Sequence, residues 1–345
     1  MADILITGGA GFFGGILKRR LLADGHRVVS IDLQPDEDQH PNLISIKGDI
    51  RDAETVEPVF AGREIGSVFH CAAILAHGKR NDEFLWSSNV EGTRVVAEAA
   101  RRHKVGRIVY TSSNCLWGHS FSHPVAEDQP PDPVELYGRS KLEGERVLQT
   151  FANDLPVISV RCPTIVDSGR LGLLAILFEF IAENRTVWTV GGGHNRYQFI
   201  YAEDLAEACS GLLSYDRSDV FHIGSDNVKP TREVYEYVIS HAGSSSRVAA
   251  LPRGATILGM KLAYHVGISP LGPYHYKMIA EDFLFETSHI KQALDWRPTL
   301  TNEEMLLKSF QYYHANRNEI DGRLNVSDHR KAADMGVIRL LKWIS

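Results

Sequence analysis

Short apolar segments alternate with amphipathic helical segments through the first half of the chain. The strand-like segments are Asp3–Thr7, Arg27–Asp32, Leu43–Lys47, Ser67–Ala72, Arg107–Ser112 and Val157–Arg161, and the helical patterns are Gly14–Ala23, Ala53–Phe60, Asn89–His103 and Tyr137–Phe151. Strands and helices that alternate in this way form a mostly parallel sheet with helices on both faces. The sequence therefore predicts an α/β fold of the doubly wound, Rossmann type.

A glycine-rich turn connects the first predicted strand to the first predicted helix. Within it, Gly8, Gly11 and Gly14 follow the spacing G-x-x-G-x-x-G. Glycines at these positions let the backbone turn tightly and approach a pyrophosphate without a Cβ in the way. The N–H groups and the dipole at the start of the helix also favour an anion. The turn therefore predicts a dinucleotide-binding site.

The second predicted strand ends at Asp32, whose carboxylate can accept two hydrogen bonds from an adenosine ribose. A carboxylate here repels a 2′-phosphate, and the following Leu33 and Gln34 supply no arginine to bind one. The sequence therefore predicts NAD rather than NADP as the cofactor. Asp49 and Ile50 follow the third strand and are candidates for contact with the adenine edge, although a plain turn would have the same composition.

Tyr137 and Lys141 are one helical turn apart and would share a helix face. A phenol has a pKa of about 10, and a nearby ammonium or a positive nicotinamide ring favours the phenolate. Lys141 would lower the pKa of Tyr137 and hold the nicotinamide ribose, while Tyr137 exchanges a proton with a substrate hydroxyl. Ser113, at a strand end, is favoured over Ser112 as the partner of the substrate oxygen. Solvated helices without function also contain this Tyr–Lys spacing.

Together these motifs resemble the extended short-chain dehydrogenase/reductases, in particular the NAD-dependent epimerase/dehydratase group. The resemblance covers most of residues 3–316. It rests on Thr7–Gly14, Asp32, Gly48-Asp49, His70–Ala73, Asn89–Thr93, Ser112-Ser113, Tyr137–Lys141, Arg161–Pro163 and Phe199–Ala206. It implies a Rossmann-type sheet with a smaller C-terminal substrate-binding lobe, an NAD-dependent enzyme, and a homodimer formed through Asn89–His103 and Tyr137–Phe151.

The resemblance also implies a role for each matching residue. The expected cofactor contacts are Gly8, Gly11, Phe12, Phe13 and Gly14 at the pyrophosphate, Asp32 at the adenosine ribose, Asp49 and Ile50 at the adenine, Cys71, Ala72 and Ala73 beneath the nicotinamide side, and Pro163 at the carboxamide. Asn89 would brace the active-site strand and is also expected among the cofactor-binding residues. Ser113, Tyr137 and Lys141 would be catalytic, and the last two would also contact the cofactor. No metal site is expected.

The alternation ends near Pro163, which suggests a division of the chain. Residues 1–163 would form the NAD-binding domain, to which 196–225 would return; 164–195 and 226–320 would form the substrate-binding lobe, and 321–345 a C-terminal tail. The later predictions are helices at Leu171–Glu183, Tyr201–Leu213, Thr231–Ala242 and Thr301–Asn316, strands at Gln198–Ile200 and Val220–Ile223, and irregular structure at Gly254–Tyr276. Thr231 is the expected N-cap of its helix, and Thr301 and Glu304 have capping-box spacing.

Composition argues against several classes of partner. The net charge is −6 and no long basic run is present, so nucleic-acid binding is not expected. The four cysteines are far apart in sequence, which argues against a disulfide framework and suits a reducing cytoplasm. The apolar, basic tail Asp334–Ser345 could lie on a membrane surface, but a terminal helix packed on the protein or on a partner subunit is favoured.

Departures from the family pattern bear on the substrate. The segment after Pro163 lacks the asparagine and the Tyr-Gly-Pro triplet common in enzymes of sugar nucleotides, although Arg196 is available for a phosphate or a salt bridge. Asn114 and Cys115 replace the Asp-Glu pair of the 4,6-dehydratases, which disfavours dehydration. Cys115 is either an acid/base beside a ketone or, as favoured, a small buried side chain.

The favoured function is NAD-dependent epimerization at a secondary alcohol, most consistent with a nucleotide-sugar 4-epimerase. The alternative is a net NAD-dependent dehydrogenase or reductase of a sterol-like or other secondary alcohol, suggested by the missing sugar-nucleotide features and the apolar Leu171–Ile181 segment. A protein that binds NAD without catalysis is disfavoured by the intact Ser113, Tyr137 and Lys141.

Overall fold

The central sheet is built from the short apolar strands of the first half of the chain. The structure, a computed structural model, describes residues 2–75, 81–266 and 273–320. Its strands are β1 (Asp3–Thr7), β2 (Val28–Asp32), β3 (Leu43–Lys47), β4 (Ile65–His70), β5 (Ile108–Ser113), β6 (Val157–Cys162), β7 (Thr164–Val166), β8 (Val187–Val190), β9 (Phe199–Tyr201), β10 (Asp219–His222) and β11 (Val248–Leu251). The central sheet is parallel, in the order β3-β2-β1-β4-β5-β6-β10. The strand order reverses between β1 and β4, where sheets of this kind bind ligands.

Helices cover both faces of this sheet. They are α1 (Phe12–Ala23), α2 (Ala53–Ala61), α3 (Asp82–Trp86), α4 (Gly92–Arg102), α5 (Leu136–Gln149), α6 (Leu174–Ala182), α7 (Ala202–Gly211), α8 (Thr231–His241), α9 (Arg253–His265), α10 (Pro273–Ala280), α11 (Ser288–Leu294), α12 (Asn302–Ala315) and α13 (Arg317–Ile320). Apolar side chains of α1 and α7 pack on one face, and those of α2, α4 and α5 pack on the other. The doubly wound, Rossmann-type fold predicted from the sequence is confirmed.

The predicted strands match the observed ones closely. β1 and β3 have the predicted bounds, and the other strands of the first half differ by one or two residues at one or both ends. The predicted helix Asn89–His103 belongs to a longer helical segment, in which a π-helical turn at Ser87–Glu91 joins α3 to α4. π turns are rare and concentrate at functional sites.

The second half of the chain contributes both to the sheet and to a separate lobe. β10 pairs with β6 and α7 packs against α1, so this part of the chain returns to the central sheet. The lobe has its own apolar core between α6, α8 and α12, next to two small parallel sheets, β7 with β9 and β8 with β11. The predicted capping box of α12 is confirmed, because the Glu304 carboxylate accepts hydrogen bonds from the N–H and the hydroxyl of Thr301, each at 2.8 Å.

Two local predictions in the lobe are wrong. Gly254–Tyr276 is not irregular: α9 and the start of α10 occupy its described part, because the apolar residues of 257–266 recur at helical spacing despite the glycines. Thr231 is not an N-cap but the first residue of α8, after Pro230. Its hydroxyl donates instead to the carbonyl of Asn195 at 2.9 Å. Residues 321–345, including the predicted amphipathic tail, lie outside the described residues.

A buried ion pair attaches α5 to the sheet. Arg161, on β6, forms an ion pair with Glu145, on α5, with an Nη2–Oε2 distance of 2.8 Å, and the two side chains are only 8% and 10% exposed. The hydroxyl of Ser112, on β5, donates to the same carboxylate at 2.5 Å. One helix is therefore held against two strands at the point where those strands end.

We expect Glu145→Gln to lower the free energy of unfolding by about 3 kcal/mol, because the change leaves the buried Arg161 charge uncompensated. Glu143→Gln is the matched control. Glu143 pairs with Arg146 at 3.3 Å on the exposed side of the same helix, and such surface pairs contribute under about 1 kcal/mol. Urea unfolding of both variants measures the difference, and equal destabilisation would show that the Arg161–Glu145 pair has no special structural role.

Candidate active site

A cleft of about 690 Å³ opens at the carboxyl ends of the central strands. Its wall contains every residue predicted for the site except Asn89: Gly8, Gly11, Phe12, Phe13, Gly14, Asp32, Asp49, Ile50, Cys71, Ala72, Ala73, Ser113, Tyr137, Lys141 and Pro163. The sequence prediction did not include Arg170 and Met278, which reach the same cleft from the lobe. Both lie outside the family motifs, so no spacing signal pointed to them.

The glycine-rich turn is shaped by close backbone approaches. Gly8 has φ +77°, and a Cβ on it would lie 2.7 Å from the backbone nitrogen of Ala72. A Cβ on Gly14 would lie 2.1 Å from the carbonyl oxygen of Gly8. The turn leads directly into α1, which has neither a side-chain cap nor an acidic residue in its first turn. The backbone N–H groups at such a helix start are available to an anion, and the hollow that a Cβ would fill leaves room for one. This part of the cleft therefore fits a pyrophosphate.

At one end of the cleft, two carboxylates are held in place by neighbouring groups. Asp32 accepts hydrogen bonds from the backbone N–H of Ala10 at 3.1 Å and of Gln34 at 2.9 Å. A carboxylate has about four acceptor positions, so Asp32 can still accept two ribose hydroxyls. Asp49 is engaged by Arg51, whose hydrogen bonds lower the pKa of the Asp49 carboxyl. This end of the cleft therefore fits an adenosine.

The catalytic candidates meet at the other end of the cleft. α5 approaches the turn that follows β5 so closely that a Cβ on Gly138 would lie 2.1 Å from the carbonyl oxygen of Cys115. This approach brings Tyr137 into a hydrogen bond with the side chain of Ser113. Lys141 is 2% exposed, and its Nζ lies 3.9 Å from the centroid of the Tyr110 ring. The structure thus brings Ser113, Tyr137 and Lys141 together, as predicted.

The electrostatics of this group differ from the prediction. Burial lowers the pKa of Lys141 to about 8. Burial also raises the pKa of Tyr137 above its usual range; the charge of Arg170 and the hydrogen bond with Ser113 act in the opposite direction. The pKa of Tyr137 is therefore not lowered in the protein alone, because the effect of burial outweighs the charge of Arg170 and the hydrogen bond with Ser113. A positive nicotinamide ring would supply the additional charge when NAD is bound.

Asn89 lies behind the cleft wall. It is 1% exposed, accepts a hydrogen bond from the Ile74 N–H at 2.7 Å and donates to the Ser140 hydroxyl at 2.9 Å. These bonds join the loop after β4 to α5. Asn89 therefore positions the wall, and its expected contact with the cofactor stays a prediction.

A histidine, like Asn89, lies behind the cleft wall. His70 is fully buried, with ring nitrogens 2.6 Å from the Thr7 hydroxyl and 2.8 Å from the Thr93 hydroxyl. Burial, together with the charge of Lys141, lowers the pKa of His70 to about 3, so the ring is neutral at physiological pH. Two hydroxyls and one neutral ring thus connect the end of β1 to α4 without adding charge to the site.

The polar residues that the sequence analysis considered for the substrate, Asn114, Cys115 and Arg196, lie in different environments. Asn114 is 3% exposed and donates to the Tyr197 hydroxyl at 2.6 Å, so its amide is directed toward the lobe. Cys115 is half-buried in the cleft wall beside Ser113. Arg196 is exposed and does not line the cleft. Arg170 does line it, with its guanidinium carbon 5.8 Å from the centroid of the Phe12 ring.

Comparisons with known proteins agree with this geometry. Residues 4–224 match the model of the NAD dependent epimerase/dehydratase family. An uncharacterized protein of Sinorhizobium fredii, y4nG, is 36% identical over 98% of this chain and 85% of its own length. A UDP-glucose 4-epimerase of Neisseria meningitidis serogroup C is 37% identical over 93% of this chain and 100% of its own.

A solved structure shares the fold. The UDP-glucose 4-epimerase of Thermotoga maritima, crystallised with UDP-glucose, superimposes with a TM-score of 0.75 at 21% identity. The match covers 91% of this chain and 99% of that one.

The affinity for NAD should fall as the pH rises through about 8, because Lys141 loses the charge that would hold the nicotinamide ribose. Cys71 and Cys162 keep their protons over this range, since burial raises their pKa values to about 11 and about 12. Lys141→Arg keeps a positive charge at every accessible pH and should flatten the curve. Calorimetric titration with NAD across this range measures both curves, and identical curves would contradict the assignment to Lys141.

Proposed function

Because this chain belongs to the NAD-dependent epimerase/dehydratase family and uses NAD as its cofactor, we propose that it is a nucleotide-sugar 4-epimerase. The observation that supports this most directly is the contact between Ser113 and Tyr137, with the buried Lys141 one helical turn further on. The Neisseria relative, named a UDP-glucose 4-epimerase, supports a uridine diphosphate sugar as the first substrate to test.

In the proposed reaction, the residues move a proton while the sugar C4 changes oxidation state. Bound NAD supplies the hydride acceptor and later the hydride donor. The Tyr137 oxygen takes the proton of the C4 hydroxyl, and the Ser113 hydroxyl donates a hydrogen bond to the same sugar oxygen. After the keto sugar has rotated to present its other face, C4 takes the hydride back and Tyr137 returns the proton to the C4 oxygen. The Lys141 ammonium and the positive nicotinamide ring together stabilise the phenolate before Tyr137 takes the proton and after it returns it.

Asn114 and Cys115 favour epimerization over dehydration. Elimination across a sugar requires an acid and a base near the ring, and neither residue has a carboxyl group. The amide of Asn114 is already hydrogen-bonded to Tyr197. The proposed reaction therefore ends with return of the hydride and not with loss of water.

Arg170 is the proposed substitute for the phosphate-binding features that the sequence lacks. It is half-buried, follows Gly169, whose φ is +83°, and lies between the glycine-rich turn and the catalytic tyrosine. A guanidinium there can form paired hydrogen bonds with a phosphate. The exposed Arg196 has no such position.

A second candidate is a net dehydrogenase or reductase of a less polar secondary alcohol. Leu171, Leu173, Leu174 and Met278 line the lobe side of the cleft and favour an apolar substrate. The two candidates differ in their cofactor balance: an epimerase returns the hydride, whereas a dehydrogenase releases NADH in step with product. The homodimer through α4 and α5 that the resemblance implies remains a prediction.

Purified enzyme should interconvert UDP-glucose and UDP-galactose without accumulating NADH, followed by proton NMR of the sugar and absorbance of the reduced cofactor. Tyr137→Phe should lower kcat about a thousandfold, because it removes the proton acceptor. NAD binding by the variant is the control for folding. Stoichiometric NADH release would rule out the epimerase and favour the second candidate.

Arg170→Gln should raise the KM for the nucleotide sugar roughly tenfold or more, because a charged hydrogen bond to phosphate is lost. Arg196→Gln is the matched control and should leave KM unchanged, since its side chain is exposed outside the cleft. Steady-state kinetics of both variants give the comparison. Equal KM values for the two variants would remove Arg170 from the substrate site.

A further inference from the structure

The ring of Tyr110 packs against the candidate catalytic lysine. Tyr110, on β5, is completely buried, and the Lys141 Nζ lies over its ring, 3.9 Å from the centroid. An ammonium within about 6 Å of a ring centroid is attracted by the negative face of the ring. Further along α5, a Cβ on Gly144 would lie 2.4 Å from the Tyr110 hydroxyl oxygen, so a glycine is required where the helix passes the ring. Helix packing therefore holds Lys141 and the ring in contact.

Lys141 has few other partners for its charge. Its Nζ forms no hydrogen bond and no ion pair with any other residue that the structure describes. Glu145, one turn further along α5, is already paired with Arg161 at 2.8 Å. A buried ammonium loses its hydration, and this loss favours the neutral amine unless another contact offsets it. The face of the Tyr110 ring is the contact in place to do so.

The titratable groups near Lys141 come from every element packed against it. They are Tyr137 and Glu145 on α5, His70 at the end of β4, Cys71 just after it, Cys115 in the turn after β5, and Cys162 at the end of β6. Burial keeps the His70 ring uncharged, with a pKa of about 3, and this ring stacks on Tyr110 with the centroids 5.4 Å apart. Burial also raises the pKa of Cys71 to about 11 and that of Cys162 to about 12, so both thiols keep their protons near neutral pH. Tyr110 therefore faces the ammonium without competition from a free carboxylate of this set.

We propose that Tyr110 is a positioning residue, whose ring face keeps the Lys141 ammonium charged and fixed inside the closed site. This inference deepens the proposed function, on which it rests for the role of Lys141. The ring attracts the cation through its fixed quadrupole, so the attraction does not require the phenol of Tyr110 to ionise. Without the ring, Lys141 would lose its proton at a lower pH.

The test follows the Lys141 side chain itself, by carbon-13 NMR of the full-length protein labelled at lysine, with Lys141→Arg to identify the signal. Tyr110→Leu should lower the pH midpoint of this signal by about one unit, because the attraction of the ring is lost. Tyr110→Phe keeps the ring and should leave the midpoint unchanged. Phe69→Leu is the matched control: Phe69 is 1% exposed on β4 and packs on the opposite face of the sheet, so a buried ring is lost away from Lys141.

A purely space-filling role for Tyr110 predicts a shift of the opposite sign. The smaller leucine would admit water, and hydration would raise the midpoint toward the usual lysine value of about 10.4. An unchanged or raised midpoint in Tyr110→Leu would therefore overturn the proposal, as would an equal decrease in Tyr110→Phe. Circular dichroism checks the fold of each variant. If Tyr110→Leu does not fold, a ring-fluorinated phenylalanine at this position keeps the shape but weakens the negative face, and it should also lower the midpoint.

Calorimetric titration with NAD separates this proposal from the role assigned to Lys141. If the pH midpoint of NAD affinity falls together with the NMR midpoint in Tyr110→Leu, both assignments are supported. If only the NMR midpoint falls, Tyr110 controls the charge of Lys141, but that charge does not hold the cofactor. The proposed role of Lys141 would then fail while the inference about Tyr110 stands.

Discussion

The close packing of α5 against the ends of β5 and β6 is the constraint on which the site depends. The helix can come this near the turn that follows β5 only where it lacks a side chain, and Gly138 meets that condition. The approach is then held by the Glu145 carboxylate, which bonds to both strands. Because Tyr137 and Lys141 are on the same helix, their distance from Ser113 is fixed by these backbone and ion-pair contacts.

Burial shifts the pKa values of the two candidate catalytic groups, Tyr137 and Lys141, in opposite directions. It raises the pKa of the Tyr137 phenol and lowers that of the Lys141 ammonium, because burial disfavours any charged form. The protein by itself therefore stores Tyr137 in the protonated, unreactive state. Positive charge near the phenol, from the cofactor ring or from Arg170, lowers the pKa of Tyr137.

Local patterns in the sequence predict the sheet well, and they single out residues that the structure brings together along one end of the cleft. Thr7–Gly14 and Asp32 could be identified because the turn, the helix start and the strand end are contiguous in the chain. Arg170 could not, since its position depends on how the lobe packs over the sheet. α9 was missed for another reason: its glycines suggested a loop, while its apolar spacing, four residues at a time, indicated a helix.

Arg170 belongs to the lobe, whereas Phe12 and Tyr137, the groups its charge faces, belong to the nucleotide-binding domain. Any hinge motion that carries the lobe away from the sheet therefore also withdraws a cation from the phenol. Reactivity would then follow closure of the two parts of the molecule. The charge of Arg170 would thereby couple the position of the lobe to proton transfer at Tyr137.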